Sequence, residues 1–493
     1  MEYEVKDNHF ILFFSITFIS SILILISQIG FDYDFKIIFY STNISIFIYC
    51  IYDFINFSKN YKNFNLYYLS DSFSLIFSFL FTLFVSLIAN LLDINIIYLI
   101  LLFNLYWISK KIIKTSVNIN INNILILILF IIFSIWCVAA FYEKQYFHPL
   151  ILEKIITGAY LHRDPLWHSS MSGMLKTYGI SSTGLDGFIT YYYHSFSHYI
   201  YGILSSLVNT NTMIFYSISF PIIIIPMFFL SFILAAKEVN IFLSNKNKLF
   251  KIKLFSIPLF LIFFFLFCNP LPIFYIYEKY QYISNPSYCF ALIFTFFLII
   301  LIFSGINNNI IDKNLKIIKY NYTFILLFIL LFFIISLTKF SFLYFILGSY
   351  FFFFIRFNLY KQQINNIVFI IMLSIVTFIY FTIIYPFQTE SEYYGFGNNI
   401  ISLFKDNTTI AHFLTIIPSI LYIYLRLFVK FNLIKNFKKS ILDKRFIDIE
   451  YLIYISIILA FFPYPYTKGI QVYIAYILII SNFELLLNFV RKK

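Results

Sequence analysis

Long apolar runs, separated by short polar segments, repeat along the whole chain. A helix needs roughly 20 mostly apolar residues to cross a bilayer, so each run predicts one membrane span. The pattern therefore predicts an all-α fold, a polytopic transmembrane helical bundle of about 14 spans. The runs are 10–29, 35–56, 72–92, 94–109, 122–142, 212–236, 252–276, 287–305, 320–337, 341–355, 366–386, 409–430, 450–464 and 470–490.

The lysine-rich loops decide how the ambiguous segment Tyr191–Val208 is placed. This segment is amphipathic and carries two histidines, His194 and His198. If it does not span, every lysine-rich loop falls on one side of the membrane, which the positive-inside rule assigns to the cytoplasm. If it did span, the lysine-rich loops before it and those after it would lie on opposite sides of the membrane. We therefore predict an interfacial helix on the extracytoplasmic surface, with both chain termini in the cytoplasm.

The composition excludes an ordinary soluble enzyme. Only 12% of the 493 residues are charged, against about 25% in a typical soluble domain. The net charge of +13 is explained by the cytoplasmic lysines, so no nucleic-acid partner is predicted. The four cysteines lie in or beside apolar runs without paired spacing, which predicts small buried side chains.

One long loop on the outer side, 143–211, carries most of the candidate chemistry and half of the 12 glycines. Long glycine-bearing loops in tight bundles are usually functional. Asp164 and Pro165 predict the N-cap and first residue of a helix that ends near Tyr178, before Gly179. A turn-rich stretch over 180–187 then leads to the amphipathic segment.

Each polar residue in this loop has a structural and a functional interpretation. Asp164 is either only a helix cap or a reacting carboxylate, and it shares a helix face with His168, four residues later. His194 and His198 have the same spacing. Such a pair can bind metal, but no third ligand stands at diagnostic spacing. The alternative is that both rings lie at headgroup level, near Trp167 as an interfacial anchor.

The order of these features resembles the first outer loop of the GT-C fold glycosyltransferases. This group includes aminoarabinose transferases, protein O-mannosyltransferases and oligosaccharyltransferases. The shared order is a span, an acid that opens a helix, a glycine stop, a turn, an amphipathic Y-H-x-x-x-H-Y helix and the next span. The outer loop Tyr275–Tyr288 is similar to a family region rich in acids or aromatics. The SLTKF stretch, Ser336–Phe340, is similar to the family's L-T-K-G or S-K-G element.

The resemblance covers roughly 122–386, about half of the chain, and implies a GT-C-like core that includes the loop 143–211. Residues 1–121 would then be extra N-terminal transmembrane helices, and 387–493 would be C-terminal transmembrane helices. Two of the chain's departures from the family lie within these motifs. Asp164 stands without the second acid of a D-x-D or D-E pair, and Phe340 stands where glycine is usual.

The resemblance implies a membrane glycosyltransferase at the outer face of a bacterial inner membrane. It would transfer a sugar or glycan from a polyprenyl-phosphate or diphosphate donor to a lipid or glycan acceptor of the envelope, among membrane lipids. Asp164 would be the catalytic base, and Lys339 would approach the lipid phosphate. The cofactor stays open, with a divalent metal ion as one option. The further expected substrate contacts are His162, His168, His194, His198, Glu278 and Lys279.

Two other functions compete with this expectation. An O-antigen-type polymerase acts on similar lipid-linked glycans but usually has a large late outer loop with arginines, whereas 387–408 contains no Arg. A transporter or lipid flippase would place ionisable groups at mid-membrane and break paired helices with Gly or Pro. Pro221 and Pro226 lie within an apolar run, which keeps transport open.

Overall fold

The computed structural model describes the chain in eight segments. These segments are 3–27, 35–58, 72–112, 163–184, 195–244, 286–307, 322–339 and 363–379, together with the single positions 128, 131, 190 and 347. Every regular element in these segments is helical, and none of the described residues forms a strand. The all-α prediction is therefore confirmed for this part of the chain.

Four helices precede the long loop 143–211. They are α1 (Tyr3–Ser27), α2 (Phe35–Ser58), α3 (Phe73–Leu92) and α4 (Ile97–Ile112). All four coincide with predicted apolar runs, although α4 begins three residues later than its run. At the end of α3, Asp93 takes a left-handed conformation, with φ of 51°, and its backbone N–H donates to the Ala89 carbonyl. A left-handed residue is a common way to end a helix.

The loop contains two helices, α5 (Arg163–Tyr178) and α6 (Ser195–Val208). A long helix, α7, follows: it begins as Thr212–Ile214, widens into a π turn over Phe215–Ser219 and continues as Phe220–Ser244. Pro221 explains the π turn, because it lacks a backbone N–H and its ring would clash with the carbonyl four residues earlier. The predicted run 212–236 is thus one continuous helix with a local defect.

The remaining described helices are α8 (Pro286–Asn307), α9 (Tyr322–Thr338) and α10 (Gln363–Ile379). Four helical segments are long and apolar enough to cross a membrane: Phe35–Phe57, Phe73–Leu92, Thr212–Ala235 and Ser287–Gly305. Four shorter apolar helices accompany them, in α1, α4, α9 and α10. These features support a membrane protein.

Six predicted spans lie outside the described residues, apart from isolated positions. The total of about 14 spans and the GT-C-like core therefore stay predictions. The six runs are 122–142, 252–276, 341–355, 409–430, 450–464 and 470–490.

The chain divides into two compact units. The first comprises 1–238, 247–259 and 281–304, and the second comprises 239–246, 260–280 and 305–493. Within the first unit α2 packs against α3 and α4, and α3 packs against α6. Within the second unit α9 contacts α10. The N-terminal helices and the loop helices α5 and α6 thus belong to the same unit, which positions the candidate site.

Aromatic and aliphatic side chains fill the core of the first unit. Phe79 of α3 packs its ring against Phe294 and Phe297 of α8, with centroids 5.9 and 5.8 Å apart. A second cluster joins α1, α2 and α7 through Ile24, Ile38, Ile218 and Ile222. Burial of such side chains contributes roughly 25 cal/mol per Å² where the alternative is water. Between lipid-facing helices, close packing takes over that role.

Candidate functional site

The end of α5 follows the sequence prediction, and its beginning does not. The helix stops at Tyr178, and Gly179 follows with a φ of +67° while its backbone N–H donates to the Leu175 carbonyl. The start differs, because α5 begins at Arg163. Asp164 therefore lies inside the first turn and is not the cap that the sequence predicted. Its side chain lies outside the described residues.

The helices α5 and α6 run parallel, with residues about 30 positions apart facing each other. His168 contacts His198, and a Cβ built at Gly202 would lie 2.7 Å from the Ser172 carbonyl oxygen. One turn further, Lys176 contacts Ser205. A constant difference in residue number means a parallel pair, whereas a constant sum would mean an antiparallel one. The glycine at 202 allows the two backbones to approach closely at the middle contact.

The first contact is a pair of buried imidazoles. His168 Nδ1 lies 3.3 Å from His198 Nε2, and the ring centroids are 4.8 Å apart at an angle of 27°. His168 is 7% exposed and His198 is fully buried. One nitrogen of a neutral imidazole donates and the other accepts, so this contact couples the tautomers of the two rings. Trp167 packs edge-on against both rings, at 5.2 and 5.7 Å.

This pairing differs from the one that the sequence indicated. The spacing placed His198 beside His194 with both rings at headgroup level. The structure instead points His198 at His168 of another helix and leaves no residue of α6 exposed. Spacing within one helix shows which residues share a face, but it does not show what that face meets.

The other end of the pair is fixed by a network of neutral groups around one lysine. Lys176 Nζ donates to Ser205 Oγ at 3.2 Å and to the Thr210 carbonyl at 3.3 Å. Asn90, near the end of α3, accepts from Ser206 Oγ at 2.7 Å, and its Nδ2 lies 3.5 Å from the Lys176 carbonyl oxygen. Burial lowers the pKa of the Lys176 ammonium, and the Asp93 carboxylate partly offsets this by raising it.

Thr212 joins both loop helices to the long helix α7. Its Oγ1 donates to the Ser169 carbonyl at 2.8 Å, and the Tyr201 hydroxyl donates to the Thr212 carbonyl at 3.0 Å. Burial raises the pKa of Tyr201 well above its ordinary value, so this hydroxyl remains a donor. Asn211 caps the same helix by accepting from the Ile214 backbone N–H. The two loop helices are thus held at the point where α7 begins.

Among the described residues, no group of three or more His, Cys, Asp or Glu side chains could hold a metal ion. The side chains of Asp164 and His194 lie outside the described residues, so a divalent metal ion stays a prediction. The 3.3 Å contact between the two imidazole nitrogens is interpreted as a hydrogen bond between the rings.

The other predicted site residues are only partly described. Lys339 follows the last residue of α9, is 7% exposed, and its backbone N–H donates to the Ile335 carbonyl. It belongs to the second compact unit, so its proximity to Asp164 stays a prediction. Four predicted contacts lie outside the described residues: His162, His194, Glu278 and Lys279.

The sequence reasoning missed the residues that hold the pair together. Lys176 continues the series of every fourth residue that starts at His168, and Gly202 and Ser206 continue the series that starts at His198. The signal in the sequence was that both series repeat every four residues, as expected for two helices that contact each other along matching faces. Asn90 gave no signal, because its role depends on α3 lying beside α6.

Comparison of the chain with protein-family models, with curated proteins and with solved structures finds no match. The site is therefore interpreted from its own geometry.

Proposed function

We propose that this protein is a membrane glycosyltransferase of the GT-C kind. It transfers a sugar or glycan from a polyprenyl-phosphate or diphosphate donor to an envelope acceptor at the extracytoplasmic face. The observation that carries the proposal is the α5–α6 pair. Its N-terminal end brings two imidazoles together, one helical turn beyond Asp164 in the chain.

The proposal also draws on the way this pair is supported. A transferase that acts on a lipid-linked sugar needs a rigid platform where polar groups meet at a bilayer surface. The proposal assigns this role to the pair, because hydrogen bonds tie it to the end of α3 and to the start of α7. Side chains locked by packing hold a reacting geometry better than mobile loops do.

In the proposed reaction, Asp164 accepts the proton of an acceptor hydroxyl while that oxygen attacks the anomeric carbon of the donor. The bond from the anomeric carbon to the phosphate oxygen breaks, and the phosphate leaves with the electron pair. A single displacement of this kind inverts the configuration at that carbon. Lys339 is the proposed cation that stabilises the departing phosphate, and His168 is a proposed contact for the acceptor.

The test is an Asp164→Asn variant in a strain that lacks the chromosomal copy. Removal of the carboxylate should reduce transfer by at least a factor of about 100, because a general base typically contributes roughly 10²–10⁴-fold. The measurement is mass spectrometry of envelope glycans and of lipid-linked sugars, with the amount of inserted protein checked by immunoblot.

Asp93→Asn is the matched control. It removes an exposed carboxylate from the end of α3, where the left-handed conformation also suits Asn. This variant should retain transfer. Full activity of Asp164→Asn would contradict the catalytic role.

One observation favours a second candidate, a lipid or polysaccharide transporter. The helix α7 carries a π turn and has Pro226 in its interior, and Glu238 is buried near its end, accepting from Ser72 Oγ at 2.6 Å. Irregular helices and buried carboxylates are features of transport pathways. A transporter predicts that Glu238→Gln abolishes lipid-linked sugar translocation while Asp164→Asn does not, which is the opposite of the transferase result.

A further inference from the structure

The parallel register of α5 and α6 needs an explanation. A segment of 16 residues joins the two helices, and a connection of this length allows more than one register. The contact repeats at every fourth residue, so a slip of the pair by one turn would keep helix against helix. It would also separate His168 from His198, since a turn is about 5.4 Å long. Within the pair, the close approach of Gly202 to the Ser172 carbonyl favours the observed register, and contacts from neighbouring helices add to it.

Helix α3 provides a contact that depends on register. The amide of Asn90 accepts from Ser206 Oγ at 2.7 Å, and the same amide faces the Lys176 carbonyl oxygen with its Nδ2 at 3.5 Å. One side chain of α3 thus touches both loop helices at the same level. If either helix slipped, one of these contacts would be lost.

The contact at Asn90 lies on the same helices as the histidines and about two turns away. His168 precedes Lys176 by the same eight positions by which His198 precedes Ser206. At about 1.5 Å per residue, both rings lie about 12 Å along their helices from the level of Asn90. Fixing both helices at one level therefore brings the two rings to one level as well.

We infer that Asn90 is a positioning residue for the candidate site, and that α3, together with the close approach at Gly202 and the contacts of Thr212, sets the register in which His168 meets His198. The extra N-terminal helices thereby gain a specific role, because they form part of the framework that assembles the site. The effect on sugar transfer rests on the proposed function, whereas the effect on the histidine pair does not.

The decisive experiment measures the histidine pair directly. The full-length protein, labelled with ¹⁵N-histidine, is reconstituted in lipid nanodiscs, and the ¹⁵N imidazole signals of the pair are assigned with His168→Gln and His198→Gln. Asn90→Leu should lose the signature of the N–H···N contact. Asn90→Asp should weaken it less, because Asp retains the oxygen that accepts from Ser206 but loses the N–H that faces the Lys176 carbonyl.

Asn104→Leu is the matched control, because Asn104 is a buried amide of α4 that donates to the Asn43 carbonyl, away from α5 and α6. This variant should leave the imidazole signals unchanged. Ser206→Ala is a milder second variant, in case Asn90→Leu does not fold, because it removes only a hydroxyl. It should shift the imidazole signals in the same direction as Asn90→Leu. Unchanged signals in both Asn90→Leu and Ser206→Ala would overturn the inference.

Sugar transfer separates this inference from the proposed function. If both hold, Asn90→Leu lowers kcat by about ten- to a hundredfold, as expected for misplacement of groups by about 1 Å, with a smaller change in KM, and Asn90→Asp lowers it less. If the wild type transfers no sugar while the imidazole signals respond as described, the positioning role stands and the glycosyltransferase proposal fails.

Discussion

The two ends of the α5–α6 pair join the same helices with different chemistry. At the C-terminal end, a lysine donates to a hydroxyl and a backbone carbonyl, and Asn90 of α3 bridges the two helices. At the N-terminal end, His168 and His198 contact each other directly. The first end consists of amide and hydroxyl contacts around one ammonium group. The second end consists of two rings that each have one donor and one acceptor nitrogen when neutral.

The lysine end of the pair therefore supports the structure, whereas the histidine end carries the groups that could take part in chemistry. Amide and hydroxyl contacts hold the helices at fixed positions. Imidazoles change their charge with small changes in environment, so they suit binding and proton transfer. If the comparison is right, substitutions at the two ends and at the crossing between them should have different consequences.

The largest effect is expected at the crossing point between the two ends. Gly202→Ala would place a Cβ 2.7 Å from the Ser172 carbonyl oxygen, so the helices must separate. Overpacking of this kind costs about 1–3 kcal/mol, and both ends should loosen together. The free energy of unfolding in lipid bilayers, measured by steric trapping, checks this.

Gly173→Ala is its control on the partner helix. A Cβ there would meet only the Thr212 hydroxyl, at 3.3 Å, so the loss should be clearly smaller. Equal losses in the two variants would mean that the close approach at Gly202 has no special role.

A smaller effect is expected at the histidine end. His168→Gln and His198→Gln each remove one partner of a buried contact, and their double-mutant cycle should give a coupling of about 1 kcal/mol, typical of a buried hydrogen bond. Thermal unfolding of the wild type, the two single variants and the double variant in nanodiscs measures it. A coupling of zero would argue against the paired imidazoles.

The smallest effect is expected at the lysine end, as a pH dependence. Burial lowers the pKa of Lys176 below its ordinary value of 10.5, so the unfolded chain binds its proton more tightly than the native protein. The free energy of unfolding should therefore rise with pH in the interval below 10.5. Lys176→Met should lack this rise, which is measured as the difference in thermal stability between wild type and variant from about pH 8 to 10. A difference that falls with pH would contradict the cause assigned to the shift.

The sequence predicted the helices well because helix formation in a membrane is a local requirement. In lipid, the backbone must satisfy its own hydrogen bonds, so an apolar run of sufficient length forms a helix. The limits of α2, α3 and α8 agree with the apolar runs to within two residues. Gly179 marked the end of α5 for a similarly local reason, since a left-handed residue ends a helix and glycine adopts it freely.

The sequence did not predict which polar side chains contact each other. His198 was associated with His194 because the two share a helix face, yet it contacts His168, 30 residues away. No sequence pattern singled out Lys176 and Ser206, but Asn90 of α3 contacts both residues in the structure. Such pairings depend on the register of one helix against another, which no local pattern encodes.

By itself, the sequence determined that this chain is rich in apolar helices and divided by a long polar loop whose first helix ends before Gly179. The tertiary structure alone decided that α5 and α6 lie parallel, that two histidines meet at one end and that α3 fixes the other. The physical reason is a difference in range. Backbone hydrogen bonding and burial act over a few neighbouring residues, whereas the meeting of His168 with His198 requires three helices to be packed in one register.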